Sequence, residues 1–131
     1  MRMIYSNELP KIQVFRLYLS LTKVSDEGFK QFVKVTLPSM KNLRTLYLDL
    51  EDTWVTDSGV IPIFKGLDGL RSLEICLCCT RVTDKAIMCF LEKQKELKAL
   101  VDLKFCLSNT AVSCSVQSQI EKLSKCLPET N

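Results

Sequence analysis

The chain contains no histidine. That removes imidazole-based triads, histidine–carboxylate metal sites and any general base that titrates near neutrality through an imidazole. It has no Asn-x-Ser/Thr acceptor and no cysteine before Cys76. Nor does it contain a run of about 18 apolar residues, so no transmembrane helix and no membrane partner are expected. The opening Met-Arg-Met-Ile-Tyr-Ser-Asn-Glu lacks the apolar stretch of a signal peptide. The seven cysteines are odd in number and confined to the second half. A secreted disulfide scaffold tends to have an even count spread along its length, so a reducing, cytoplasmic setting is expected. Large charge excess is missing too: 18 basic against 15 acidic residues leave +3. A dedicated phosphate-backbone binder usually has a larger and more clustered excess, and no nucleic-acid partner is expected. What remains is ordinary globular composition, 47% hydrophobic and 25% charged over 131 residues. That length and balance suit one folded domain spanning 1–131 rather than a disordered chain.

The main signal is internal repetition. Ile12, Phe15, Leu17 and Leu19 are followed by Thr22, then Val24-Ser25-Asp26, then Gly28-Phe29. The frame returns as Leu43, Leu46, Leu48, Leu50, Thr53, Val55-Thr56-Asp57 and Gly59-Val60. It returns again as Leu70, Leu73, Ile75, Leu77, Thr80, Val82-Thr83-Asp84 and Ala86-Ile87. A fourth copy runs Leu100, Leu103, Phe105, Leu107, Thr110 and Val112-Ser113, then decays at Cys114, Val116 and Gln117. The copies begin near 12, 43, 70 and 100, and all sixteen leading positions are apolar in a chain that averages 47%.

Each copy changes period midway. Alternation at the start predicts strands near 14–19, 45–50, 72–77 and 102–107. Ser25, Thr56, Thr83 and Ser113 then stand where a helix N-cap hydroxyl would accept from a free N–H. Asp26, Asp57 and Asp84 fall in the first turn, where the helix dipole favours negative charge. Helical spacing continues in Phe29, Phe32 and Val33, in Ile87, Phe90 and Leu91, and in Val116, Ile120 and Leu123. Pro62, Gly66 and Gly69 predict a short or irregular helix in the second copy. A strand, a turn and a helix in about 29 residues read as one coil of an α/β solenoid, with a parallel sheet inside and helices outside.

This frame resembles the leucine-rich repeat, in particular the subclass with Val/Ile-Thr-Asp after the strand. That subclass includes the cysteine-containing repeats of F-box proteins and is similar in architecture to ribonuclease-inhibitor-type repeats. The resemblance covers nearly the whole chain. It implies a horseshoe arc, with the parallel sheet concave and the helices convex. It also implies that Thr22, Thr53, Thr80 and Thr110, which stand where the family usually has Asn or Cys, turn inward and satisfy loop backbone of adjacent coils. The function implied is non-enzymatic protein–protein interaction or scaffolding. The alternative is the substrate-recognition part of an F-box-type ubiquitin ligase, although no F-box-like helical segment is present.

If the apolar strand positions point inward, those between them face out. Three outward columns result: Arg16, Tyr47, Glu74 and Lys104; Tyr18, Asp49, Cys76 and Cys106; Ser20, Glu51, Cys78 and Ser108. This mixed surface suits a protein partner. Trp54, the only tryptophan, lies just past the second strand with Lys23, Arg81 and Ala111 in its column. Flanking cations there would allow cation–π stacking and an interface anchor. The candidate binding residues are therefore Arg16, Tyr18, Tyr47, Asp49, Glu51, Trp54, Glu74 and Lys104. Asp49, Glu51 and Asp52 form an acidic patch suited at most to a basic partner. Cys76, Cys78, Cys79 and Cys106 lack a Cys-x-x-Cys knuckle and read as small apolar filler, so no metal is expected. Without histidine or a phosphate loop, neither enzymatic activity nor a cofactor is expected. Both ends fall in repeat phase, which is expected either of a fragment of a longer array or of a chain with edge-to-edge contacts to partner chains. The first seven residues are expected to act as a short cap.

Overall fold

The computed structural model of the protein describes residues 8–128; the expected cap at 1–7 lies outside them. Four strands form one sheet in chain order: β1 (Val14–Tyr18), β2 (Thr45–Asp49), β3 (Ser72–Cys76) and β4 (Asp102–Cys106). Each is parallel to the next. The strands fall where alternation predicts, one residue shorter at the C-terminal end. Register keeps to the repeat frame: Phe15 pairs with Leu46, Leu46 with Leu73, and Leu73 with Leu103.

Pairing continues past the strands. The N–H groups of Leu19, Leu50 and Leu77 donate to the carbonyls of Asp49, Cys76 and Cys106 at 2.8–2.9 Å. Two residues on, Leu21, Asp52 and Cys79 donate to Glu51, Cys78 and Ser108 at 2.9–3.0 Å. Leu21, Asp52, Cys79 and their equivalent Asn109 all have φ between 53° and 63°. The chain thus reverses through a left-handed residue in every copy, although none is glycine.

The next threonine closes that turn. Thr22, Thr53, Thr80 and Thr110 each donate Oγ1–H to the carbonyl three residues back, at 2.7–2.8 Å. Thr53 and Thr80 are the only buried polar side chains among the described residues, at 4% and 6% exposure. The expectation of an inward threonine column holds for these two, but their hydroxyls serve their own turn and not the adjacent copy.

The aspartates make the connection between copies. Asp26 accepts from the Thr56 N–H at 2.8 Å and the Thr56 hydroxyl at 2.5 Å. Asp57 repeats this with Thr83, at 2.8 and 2.5 Å. Asp84 accepts from the Ser113 N–H at 2.6 Å. The carboxylates therefore sit in a first turn, as expected, and also reach across to the next N-cap. Thr56, Thr83 and Ser113 cap their own helices by accepting from Ser58, Lys85 and Val116. Ser25 makes no such bond, contrary to expectation.

The helical segments vary. The first copy has α1 (Asp26–Gln31), a π-helical stretch Phe32–Thr36 and α2 (Leu37–Ser39). The second has only α3 (Asp57–Val60), continued as a 3₁₀ stretch Ile61–Gly66 that starts beside Pro62. That matches the short, irregular helix expected there. α4 (Asp84–Lys93) and α5 (Cys114–Cys126) are regular, and α5 is the longest despite the decayed frame at its start. Ser113 supplies the cap that keeps it in place.

All these segments pack on one face of the sheet. Leu46, Leu48, Leu73 and Ile75 are at most 1% exposed beneath them. Phe64, Phe90 and Phe105 form an edge-on aromatic cluster with centroids 5.1–6.4 Å apart, and Phe15 stacks on Phe32. The opposite face carries no element among the described residues. Among those residues, too, no helix is long and apolar enough to cross a membrane.

Candidate functional site

The open face of the sheet is where unused side chains collect. The helices consume one set of strand side chains in the core, and alternation delivers the other set to solvent. Strand register aligns the first two outward columns as expected: Arg16, Tyr47, Glu74 and Lys104 in one, Tyr18, Asp49, Cys76 and Cys106 in the other. The backbone ladder beyond the strands carries the third, through Glu51, Cys78 and Ser108. A further column, absent from the sequence-based expectation, holds Val14, Thr45, Ser72 and Asp102. The same alternation, extended two residues upstream, locates it. Within it the Ser72 hydroxyl bonds the Asp102 carboxylate at 3.1 Å.

Tyr18 and Tyr47 stand together on adjacent strands. Their ring centroids are 5.1 Å apart and tilted by 55°, a geometry in which edges meet faces. Tyr18 is 62% exposed, as expected. Tyr47 and Asp49 are half-buried. The Tyr47 phenol is pushed above the ordinary 10.0, first by burial and then by the charges of Asp49 and Glu74. The two tyrosines border a polar hollow of about 430 Å³, lined also by Arg16, Thr45, Ser72, Glu74 and Asp102. Lys104, Asp49, Glu51 and Trp54 are not among its walls.

Trp54 is 63% exposed at the rim. Its N–H donates to the Val24 carbonyl at 2.9 Å, and an isolated parallel bridge pairs it with Ser25. Among the described residues, the ring interactions are all aromatic–aromatic, and none involves Trp54. The expected stacking with Lys23 or Arg81 is not formed. The side chain projects from the loop with its faces uncovered by those cations.

The cysteines remain free thiols. Burial first, and the nearby Cys78 and Cys106 thiols next, push Cys76 from 9.0 up to about 12. Cys106 is raised too, mainly by burial, with Lys104 pulling the other way. Asp49, Glu51 and Cys76 bring one donor atom each within 4.8 Å of one another. The set offers two carboxylates and one thiol. Asp49 Oδ1 already accepts from the Glu51 N–H at 3.1 Å. A hard cation needs several oxygens in a closed shell, and this set supplies two carboxylates and one thiol.

On the helical side, a smaller hollow of about 260 Å³ lies between the first two copies. Asp26, Lys30, Val33, Ser58 and Pro62 line it. The surface run from Glu92 to Lys98 holds two exposed ion pairs, Lys93–Glu96 at 3.2 Å and Lys95–Glu92 at 3.4 Å, and exposed pairs of this kind contribute little. Against known proteins, no family model matches the chain, and no curated protein matches it.

Proposed function

We propose that the protein is a non-enzymatic, cytoplasmic interaction module of leucine-rich-repeat type, in which the open face of the sheet holds a protein partner. The observation that carries this reading is the division of the sheet. One face is turned to the core, and the other presents mainly polar and aromatic side chains across four strands. Four strand–turn–helix units in parallel order, tied by a repeated threonine turn and a repeated aspartate link, support the repeat assignment. Tyr18, Tyr47 and Trp54 give large contact area at low entropic cost, and such residues dominate binding energy at interfaces. The hollow beside the tyrosines gives an incoming side chain somewhere to seat.

The test is a paired substitution. Tyr47→Ala with Trp54→Ala should weaken capture of the native partner from cell extract while leaving the circular-dichroism spectrum intact. Changing Lys93 and Lys95 on the helical side should leave capture unaffected. The reverse pattern places the interface on the helices and ends this reading. Recovery of a ubiquitin-ligase adaptor with the bound partner would favour the substrate-recognition alternative over a plain scaffold.

A further inference from the structure

The outward columns hold the acids Asp49, Glu51, Glu74 and Asp102 against the cations Arg16 and Lys104. The cations, Arg16 and Lys104, stand on the outer strands; of the acids, Asp49 and Glu74 stand on the two inner ones and Asp102 on β4, and Lys104 is the register neighbour of Glu74. Glu51 extends the acid pair beyond β2, in the column of Cys78. Among the described residues, the only ion pairs are the two near the end of α4, so none of these carboxylates is neutralised by a salt bridge there. The register also places Tyr18 beside Asp49 and Tyr47 beside Glu74. Tyr18, Tyr47 and Glu74 line one polar hollow, with the rings 5.1 Å apart, and Asp49 stands next to Tyr18 outside its walls.

An aromatic ring attracts a cation to its face, and a carboxylate attracts it by charge. The two together favour a guanidinium, which is planar, weakly hydrated and able to stack while it hydrogen-bonds. We propose that the open face binds a basic, arginine-containing extended segment of a protein partner, one cation of which lies against Tyr18 and Tyr47 between Asp49 and Glu74. This rests on the open-face reading above and names the chemistry of its occupant. An acidic segment is disfavoured, because it would bring a third negative group between two unpaired ones. A purely apolar segment would bury those carboxylates without a partner, which is costly. The phenol of Tyr47 is raised first by burial and then by the charges of Asp49 and Glu74. Arg16, on the wall of the hollow, limits how many cations the site accepts.

The probe is a fluorescein-labelled peptide alternating arginine with serine, which in extended form presents its cations on one side. Its counterpart has glutamate for arginine. Fluorescence anisotropy with the full chain should show saturable binding of the arginine peptide and none of the glutamate peptide. Asp49→Asn with Glu74→Gln, which keeps shape and removes charge, should weaken the arginine peptide by about tenfold, the combined scale of two exposed ion pairs and a cation–π contact. Tyr18→Leu should weaken it severalfold, with the melting curve of each variant confirming the fold. Equal binding of both peptides, or an arginine peptide indifferent to the Asp49/Glu74 change, overturns the inference. If that occurs while Tyr47→Ala/Trp54→Ala still abolishes capture of the native partner, the open-face reading stands and only the basic occupant is wrong. If the native partner ignores that pair while the arginine peptide obeys the charge change, the open-face reading fails and the basic preference survives.

Discussion

At the scale of single residues, Thr80 marks where the turn chemistry is concentrated. It is buried, it donates to the Leu77 carbonyl at 2.8 Å, and the Val82 N–H reaches back to it at 3.4 Å. Thr80→Val keeps the volume and removes both bonds, leaving a buried carbonyl without its donor. A cost of about 1–3 kcal/mol is expected from urea unfolding; an unchanged midpoint would mean that the column is apolar filling. Leu21 is the opposite case, a residue poorly matched to its place. It is 76% exposed with φ at 63°, a region that costs an L-residue other than Asn, Asp or Gly roughly 1–2 kcal/mol. Leu21→Asn should therefore raise stability by about 0.5–1 kcal/mol, measured the same way. Nothing in the sequence announces this column, since it holds Leu, Asp, Cys and Asn in turn. The threonine beside it was legible because one residue type repeats. Cys76 gives a pH signature. Its native pKa of about 12 lies above its ordinary 9.0, so the native state holds the proton longer than the unfolded chain. The associated stability is complete below about pH 9 and is lost as pH rises through about 12. Tyr47, raised from 10.0, acts in the same direction. Urea midpoints should fall as pH rises beyond about 9, and Cys76→Ser should flatten that fall. A slope unaffected by the substitution would show that Cys76 ionises as freely in the native state as when unfolded.

At the scale of elements, the aspartate links decide how one strand–turn–helix unit holds the next. Each carboxylate starts one helix and satisfies the N-cap of its successor. The sequence shows the aspartates and the Ser/Thr caps but not that they meet. Their partners lie 26–30 residues apart, and only the stacking of parallel units brings them together. The helix dipole favours the aspartates in the first turn but does not require this second use. Asp57→Ala removes two bonds to Thr83 and should cost about 1–3 kcal/mol. Asp84→Ala removes one, to the more exposed Ser113, and should cost less. Equal effects would indicate that the dipole, common to both helices, is the dominant contribution. The same contact explains the glycine at position 59: a Cβ there would collide with the Asp26 carboxylate. Gly59→Ala should destabilise alone and be partly relieved by Asp26→Ala, a favourable coupling that a double-mutant cycle measures. Gly28, whose Cβ would meet only Val24 at ordinary contact distance, should tolerate alanine far better.

At the scale of the whole molecule, the parallel sheet and its order were legible because sixteen apolar positions mark four strands and the Val-Ser/Thr-Asp segments mark where each strand gives way to a helix. The π-helical stretch Phe32–Thr36 was not, since its residues are spaced as an ordinary helix would space them. The two ends also differ more than their sequences suggest. In β1 and just past it, Phe15, Leu17 and Leu19 stay half-buried, whereas α5 packs over the last copy and leaves Leu103, Leu107 and Ile120 at 3–5% exposure. Of the candidate site, the outward columns come from alternation, but the tyrosine pair and the polar hollow needed the register to place Tyr18 diagonally to Tyr47. Trp54, expected to have cationic neighbours, makes no stacking contact with them. Together these features support one claim, that partners meet this protein on the uncovered face of its sheet. Site-specific photocrosslinking in cells tests it most directly, with a photoreactive residue at Tyr18 on that face and, separately, at Lys122 on the exposed side of α5. The account predicts a discrete crosslinked partner from position 18 and none from position 122; a partner captured from position 122 alone would contradict it.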